Sequence, residues 1–257
     1  MKKWIALFAV ATIVFSSGAA LAAQKLRIAI EGAYRPFNYV DPNGQLQGFD
    51  VDIAHALCNA MGTECVLVQQ DWDGMIPGLL AKKFDVICSS MSITEKRKEA
   101  VNFTDPYYQA PPRFVAHKGS GLVVSKEGLK GKTIGVQRAA TYADYLKDTY
   151  GDTITIKYYD TVEDHNLDLV AGRVDAVLAQ SVYMSQWLAT PEGKDFQFFG
   201  EPILVKKYIG AGAGIAVRKE DTELLKQLNA ALHEIIANGT HKKLADKYFT
   251  VDIYEYQ

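Results

Sequence analysis

Asp85-Val86-Ile87-Cys88-Ser89-Ser90-Met91-Ser92-Ile93-Thr94-Glu95-Lys96-Arg97 holds an apolar run, a hydroxyl-rich turn and a charged segment in direct succession. The run at 85–88 reads as a buried strand, and a helix pattern follows the turn. Serine hydroxyls and one guanidinium therefore fall on a strand-to-helix turn. The first free backbone N–H groups of such a helix point out of the turn, and its dipole favours a negative group there. Arg97 lies in the first helical turn, where its planar fork can take a carboxylate through two parallel hydrogen bonds. Hydroxyls, helix start and arginine together read as a carboxylate receptor. The competing reading is a capped surface helix with a solvated Glu95-Lys96-Arg97-Lys98-Glu99 face.

Working outward, strands and helices alternate on both sides of this turn. On the N-terminal side, Leu26–Ile30 reads as a strand and 34–37 as a loop around Pro36. Asp41-Pro42-Asn43-Gly44 is a turn. Asp50 reads as the cap of a helix with Val51, Ala54, Leu57, Cys58 and Met61 on one face, ended by Gly62. A strand at 66–68, the loop residue Trp72 and a helix over about 73–82 follow. Strand, helix, strand, helix, strand implies a parallel sheet with right-handed crossovers. The pattern then restarts, with strands near 133–136, 154–158 and 174–178 and helices near 141–150, 162–171 and 182–189. Leu79-Leu80-Ala81-Lys82-Lys83-Phe84-Asp85-Val86-Ile87 matches Leu169-Val170-Ala171-Gly172-Arg173-Val174-Asp175-Ala176-Val177 in residue type at nearly every position, which points to two related halves. The last quarter has a glycine-rich run at 210–214, a strand at 215–217 and helices near 222–237 and 241–248.

Composition describes an ordinary globular chain. Its 257 residues allow one or two domains, 48% are hydrophobic, and the net charge of −2 gives no basic footprint for nucleic acid. Lys2 and Lys3, the apolar run from Trp4 to Phe15, and Ala20-Leu21-Ala22 form a charged start, a short apolar core and a small-residue cleavage site. Residues 1–22 are thus expected to be a signal peptide, and the mature protein to be exported. Cleavage would leave 26 basic against 30 acidic side chains, a net charge of −4. Cys58 and Cys65 are close in sequence; in an oxidising compartment they read as a local disulfide, with two packed thiols as the alternative. Cys88 reads as a small core residue. No histidine lies at ligand spacing to a cysteine, so no metal is expected. The five histidines, at 55, 117, 165, 233 and 241, read as surface or capping residues.

Seven motifs in order carry a resemblance. They are Tyr34-x-Pro36-Phe37, Gly48-Phe49-Asp50-Val51-Asp52, Ser89-Ser90-Met91-Ser92-Ile93-Thr94-x-x-Arg97, Phe103-Thr104-x-Pro106-Tyr107, Gly131 to Gln137, Ala171-Gly172-Arg173-x-Asp175-Ala176 and Gly239-Thr240. Across nearly the whole mature chain this order resembles the periplasmic amino-acid-binding proteins of ABC importers, above all the lysine/arginine/ornithine and histidine binders. Asp164 to Leu169 and the Glu31 position also look like the nopaline/octopine binders. The resemblance implies an α/β fold of two Rossmann-like lobes joined by a two-strand hinge, a periplasmic binding protein of type II. Residues 24–110 and 212–257 would form lobe 1 and residues 111–211 lobe 2, crossing near 108–111 and 210–213. It further implies a Cys58–Cys65 disulfide, no cofactor, a periplasmic monomer, an amino acid or opine as ligand, and an inner-membrane ABC permease as partner.

Carried over position by position, the resemblance assigns a ligand site. Arg97 would bind the α-carboxylate with Ser92 and Thr141. Ser90 and the Ser89 backbone would hold the α-amino group, Tyr34 and Trp72 would flank the side chain, and Glu31 would meet a distal positive group. Two positions depart from the pattern. Gln180 stands where relatives have an aspartate for the ammonium, and an amide cannot supply that charge, which favours an N-substituted, opine-like ligand. Arg138-Ala139-Ala140 replaces a Gly-Thr before Thr141, and Arg138 is read as facing solvent rather than a second carboxylate. An enzyme on the same fold, a cyclohexadienyl (prephenate/arogenate) dehydratase, is the alternative; Glu31 is the one evident acid for it. A receptor sensor domain is a weaker third reading.

Overall fold

The computed structural model describes residues 25–250 and Ile253; the expected signal peptide at 1–22 lies outside the described residues. Two five-stranded sheets organise the chain. In the first, Leu26–Ile30 lies between Cys65–Gln69 and Val86–Ile87, all parallel, followed by Ala216–Arg218 and Val101–Phe103. In the second, Thr133–Gln137 lies between Thr155–Tyr159 and Ala176–Gln180, again parallel, followed by Pro112–His117 and Phe196–Phe199. A small three-stranded antiparallel sheet spans Ala33–Tyr34, Asn38–Val40 and Leu46–Gln47.

The sheets are mixed rather than purely parallel, a correction to the sequence-based expectation. The fourth strand of each, Ala216–Arg218 or Pro112–His117, runs antiparallel to both neighbours. Each is the first strand after the chain has passed from one sheet to the other, and so enters from the edge toward which the parallel strands run. The internal echo is structural too. Val86–Ile87 and Ala176–Gln180, the strands that close the two echoing stretches, occupy the same third position in their sheets.

The passages between sheets lie side by side. Ala213 N donates to Tyr108 O at 2.9 Å and Tyr107 N donates to Ala213 O at 2.9 Å. Glycine is needed here for space as well as conformation. At Gly210 (φ +65) a Cβ would stand 1.8 Å from Ile93 O, and at Gly212 (φ +115) it would stand 2.8 Å from Tyr108 O.

Several helices match their sequence patterns, including Phe49–Met61, Thr141–Tyr150, Val162–Val170 and Thr222–Ala237. The stretch expected as one helix over 73–82 is instead a 3₁₀ turn, Trp72–Gly74, followed by Met75–Leu80. Pro77 lacks an N–H and is tolerated only in a first turn, which fixes the α-helical start at Met75. Cys58 and Cys65 form a disulfide with a Cα–Cα distance of 5.9 Å, tying the end of the first helix to the outer strand. Cys88 is a buried free thiol, as expected.

Candidate functional site

The parallel strands of both sheets end at one cavity. Glu31 follows Leu26–Ile30, Ser89 and Ser90 follow Val86–Ile87, and Gln137 ends Thr133–Gln137. Side chains just past the carboxyl ends of parallel strands are where open α/β sheets place ligands. The lining comprises Glu31, Tyr34, Trp72, Ser89, Ser90, Ser92 and Arg97 from the first half, with Gln137, Ala140, Thr141 and Tyr142 from the second. Eight of the nine predicted site residues therefore share one cavity, and Gln180 is the exception.

Gln180, at the end of Ala176–Gln180, lines an adjoining small cavity that also touches Ser92 and Tyr142. Its Nε2 donates to the Tyr108 hydroxyl at 3.0 Å, and its buried Oε1 has no protein partner. Gln137, Ala140 and Tyr142 were missed by sequence reasoning. The signal for Gln137 was its place at the end of a strand, one residue beyond the predicted boundary.

The turn that opened the sequence analysis holds Arg97 differently from expectation. Its helix is a single turn, Glu95–Lys98, because the strand Val101–Phe103 follows at once. Thr94 Oγ1 accepts from Arg97 N at 3.4 Å, so that N–H is taken within the cap. The positive character of the site thus comes from the Arg97 side chain, not from a helix dipole. The guanidinium donates to Ser92 O at 3.1 Å and across the cleft to Ala139 O at 3.2 Å, and it lies 5.2 Å from the Trp72 ring centre. None of the ion pairs among the described residues involves it. Burial lowers its pKa to about 10, so it remains cationic at neutral pH.

Glu31 is buried, and desolvation raises its pKa to about 8 against the opposing effect of a hydrogen bond from Gln137. Gln137 Nε2 reaches Glu31 Oε1 from the other half at 2.6 Å and also donates to Asp160 O at 3.1 Å. The Tyr34 ring stacks on Tyr183, with centroids 4.6 Å apart and planes 6° from parallel, and Lys96 pairs with Asp144 at 2.7 Å. These contacts draw the two halves together until the free space in the cavity is about 30 Å³, enough for one or two waters. That space is smaller than an amino acid.

Asp50 is not a helix cap: Gly48 holds that position, and Asp50 is fully buried with its carboxylate accepting from Asn38, Ser90 and Tyr107. His165 and His241 are not surface residues. His165 is packed against Tyr159 and its pKa falls to about 3 through burial, while His241 Nε2 sits 2.6 Å from Tyr107 O. Arg138 pairs with Asp160 at 2.7 Å, half-exposed and outside the cavity lining.

The descriptor of bacterial extracellular solute-binding proteins, family 3, matches residues 26–251. The chain belongs to that family. It is 45% identical over 256 residues to the L-arginine-binding protein of Pseudomonas aeruginosa, with 99% of each chain covered. It is 40% identical over 258 residues to the histidine-binding periplasmic protein of Escherichia coli, again over 99% of each. Among solved structures, a Salmonella typhimurium periplasmic binding protein described for its high arginine specificity superposes with a TM-score of 0.82. That pair is 34% identical, covering 89% of this chain and 100% of the other. These relatives of the family 3 protein are binding proteins, not enzymes, and nothing in them favours the dehydratase alternative.

Proposed function

We propose that the protein captures, outside the cytoplasm, a cationic amino acid (arginine, lysine, ornithine or histidine) or an opine-type derivative and delivers it to an ABC importer. One observation carries this reading. A half-buried guanidinium, Arg97, and a buried carboxyl group, Glu31, face the same cavity and pair with other groups rather than with each other. A zwitterion with a second, distal cation answers both. Its α-carboxylate meets Arg97, Ser92 and Thr141, and its α-nitrogen meets Ser90, the Ser89 backbone and the free Gln180 Oε1. Its side chain passes Tyr34 and Trp72 to Glu31. The names borne by the relatives support the choice of ligand.

Residues 24–110 with 212–257 move as one lobe and 111–211 as the other, hinged where Ala213 donates to Tyr108 O and accepts from Tyr107 N. Ligand enters the open form and closure buries it. The protein acts as a monomer in the periplasm after removal of residues 1–22, and its macromolecular partner is an inner-membrane permease, with no role for nucleic acid. Titration calorimetry with L-arginine, L-lysine, L-ornithine, L-histidine and octopine tests the reading. At least one binds, and Arg97→Ala weakens it by roughly a hundredfold or more, since stranding one member of a buried ion pair costs about 3–5 kcal/mol. Unchanged affinity in that variant rejects the site.

A further inference from the structure

Beneath the cavity, Asp50 accepts hydrogen bonds from the Tyr107 hydroxyl at 2.7 Å, the Asn38 amide at 2.7 Å and the Ser90 hydroxyl at 2.8 Å. Two of these directions are fixed from the far end. Asn38 Oδ1 takes the Gly32 N–H at 2.8 Å, so its NH₂ faces Asp50. The Tyr107 oxygen takes the Ser90 N–H at 3.0 Å, so its own proton is left for Asp50. Ser90, held at φ 54, therefore has its backbone N–H and its hydroxyl proton both directed away from the cavity that it lines. A serine oxygen whose single proton is donated can present only lone pairs. Gln180, the residue expected near the ligand's ammonium, is neutral and bound to Tyr108, whose hydroxyl also faces Ser90.

We infer that Asp50 is a positioning residue of the ligand site: it makes the Ser90 oxygen an obligate acceptor for the ligand's α-ammonium and supplies, one hydrogen bond away, the negative charge that Gln180 lacks. The inference rests on the reading of the ligand as an α-amino acid held by Arg97. It also contains a proton switch. A proton on Asp50 Oδ2 reverses the bond to Ser90 and turns the hydroxyl hydrogen toward the cavity, where it opposes an ammonium. Burial raises the Asp50 pKa to about 7 against the pull of its three donors; Tyr107, Tyr108, Cys88 and Glu31 are the other titratable groups whose charges bear on it.

The test compares L-arginine with 5-guanidinopentanoate, which lacks only the α-ammonium, by calorimetry between pH 5.5 and 8.5. Both carry the same guanidinium, so the effect of Glu31 cancels in their affinity ratio. In the unaltered protein the ratio rises with pH. Asp50→Asn keeps an oxygen for Ser90 but removes the charge, and it lowers the ratio about ten- to a hundredfold and flattens its pH dependence. Ser90→Ala lowers it similarly, and the double variant loses no more than either single one. Equal losses for both ligands, an unchanged ratio or additive losses overturn the inference while leaving the ligand reading intact. Should Asp50→Asn fail to fold by circular dichroism, the Ser90→Ala ratio and the wild-type pH dependence decide. If none of L-arginine, L-lysine, L-ornithine and L-histidine binds the unaltered protein, this inference falls, and the ligand reading falls with it only if octopine also fails to bind.

Discussion

Glu31 and Arg97 face opposite consequences of the same desolvation: burial pushes the acid toward its neutral form and lowers the pKa of the base. Glu31 keeps its proton up to about pH 8 in this arrangement, yet the proposed cationic ligand needs the carboxylate. Binding at pH 7 is therefore expected to release a proton, and affinity for a cationic ligand should rise with pH and level off above about 8. Calorimetry in two buffers of different ionisation enthalpy measures that proton, and Glu31→Gln should abolish the part due to this residue. The stability effect has the opposite sign. The folded state holds a proton that the unfolded state releases above its ordinary value of 4.5, so the contribution of Glu31 to folding is most favourable below that pH and declines as pH rises to about 8. Arg97 was legible in the sequence because a guanidinium after an apolar strand and a hydroxyl-rich turn reads as a carboxylate receptor, whereas Glu31 was assigned only through the family resemblance. Asp50 was misread because an aspartate ahead of a helical period looks like a cap. Only Asn38, Tyr107 and Ser90, folded around it from elsewhere in the chain, reveal a buried anchor.

At the scale of elements, periodicity worked where an element packs one face on a core. Thr222–Ala237 buries Leu228, Ala231, Leu232 and Ile235, the positions its 3.6-residue period selects. Leu232→Ala, at a position with no exposure, should cost about 2–5 kcal/mol in urea unfolding. The disulfide between Cys58 and Cys65 closes a short loop with a sequence separation of 7. Replacing both cysteines by alanine should lower stability by about 2–3 kcal/mol, read as a shift in denaturation midpoint that reductant reproduces in the unaltered protein. Short elements escaped the sequence. The strands Pro112–His117 and Phe196–Phe199 were not anticipated, nor was the brevity of the expected helix at Glu95–Lys98, because a few residues of period cannot be told from a loop or from the edge of a neighbouring element.

For the whole molecule, the proposed capture turns on closure of the two halves. Gln137 on Glu31, Tyr183 on Tyr34 and Asp144 on Lys96 join the two halves from positions more than forty residues apart in sequence. Gln137→Ala removes a hydrogen bond that only the closed arrangement makes. It is expected to raise the radius of gyration of the ligand-free protein in small-angle scattering, with saturating ligand restoring the compact value. Ligand at a hundred times its Kd should add about 2.7 kcal/mol to stability, visible as a thermal shift. Alternating apolar and polar periods and the repeated nine-residue echo determined the α/β class and the two related halves, because local backbone preference and one-sided burial are written in neighbouring residues; the hydroxyl turn and Arg97 were read from the same pattern, and the rest of the expected cavity lining came from the family resemblance. The reversed fourth strand of each sheet, the placement of Gln180 in an adjoining cavity against Tyr108 and the commitment of the Ser90 proton to Asp50 were decided only by tertiary structure. Each depends on which distant groups meet once water is excluded, and nearest-neighbour sequence carries no record of that meeting.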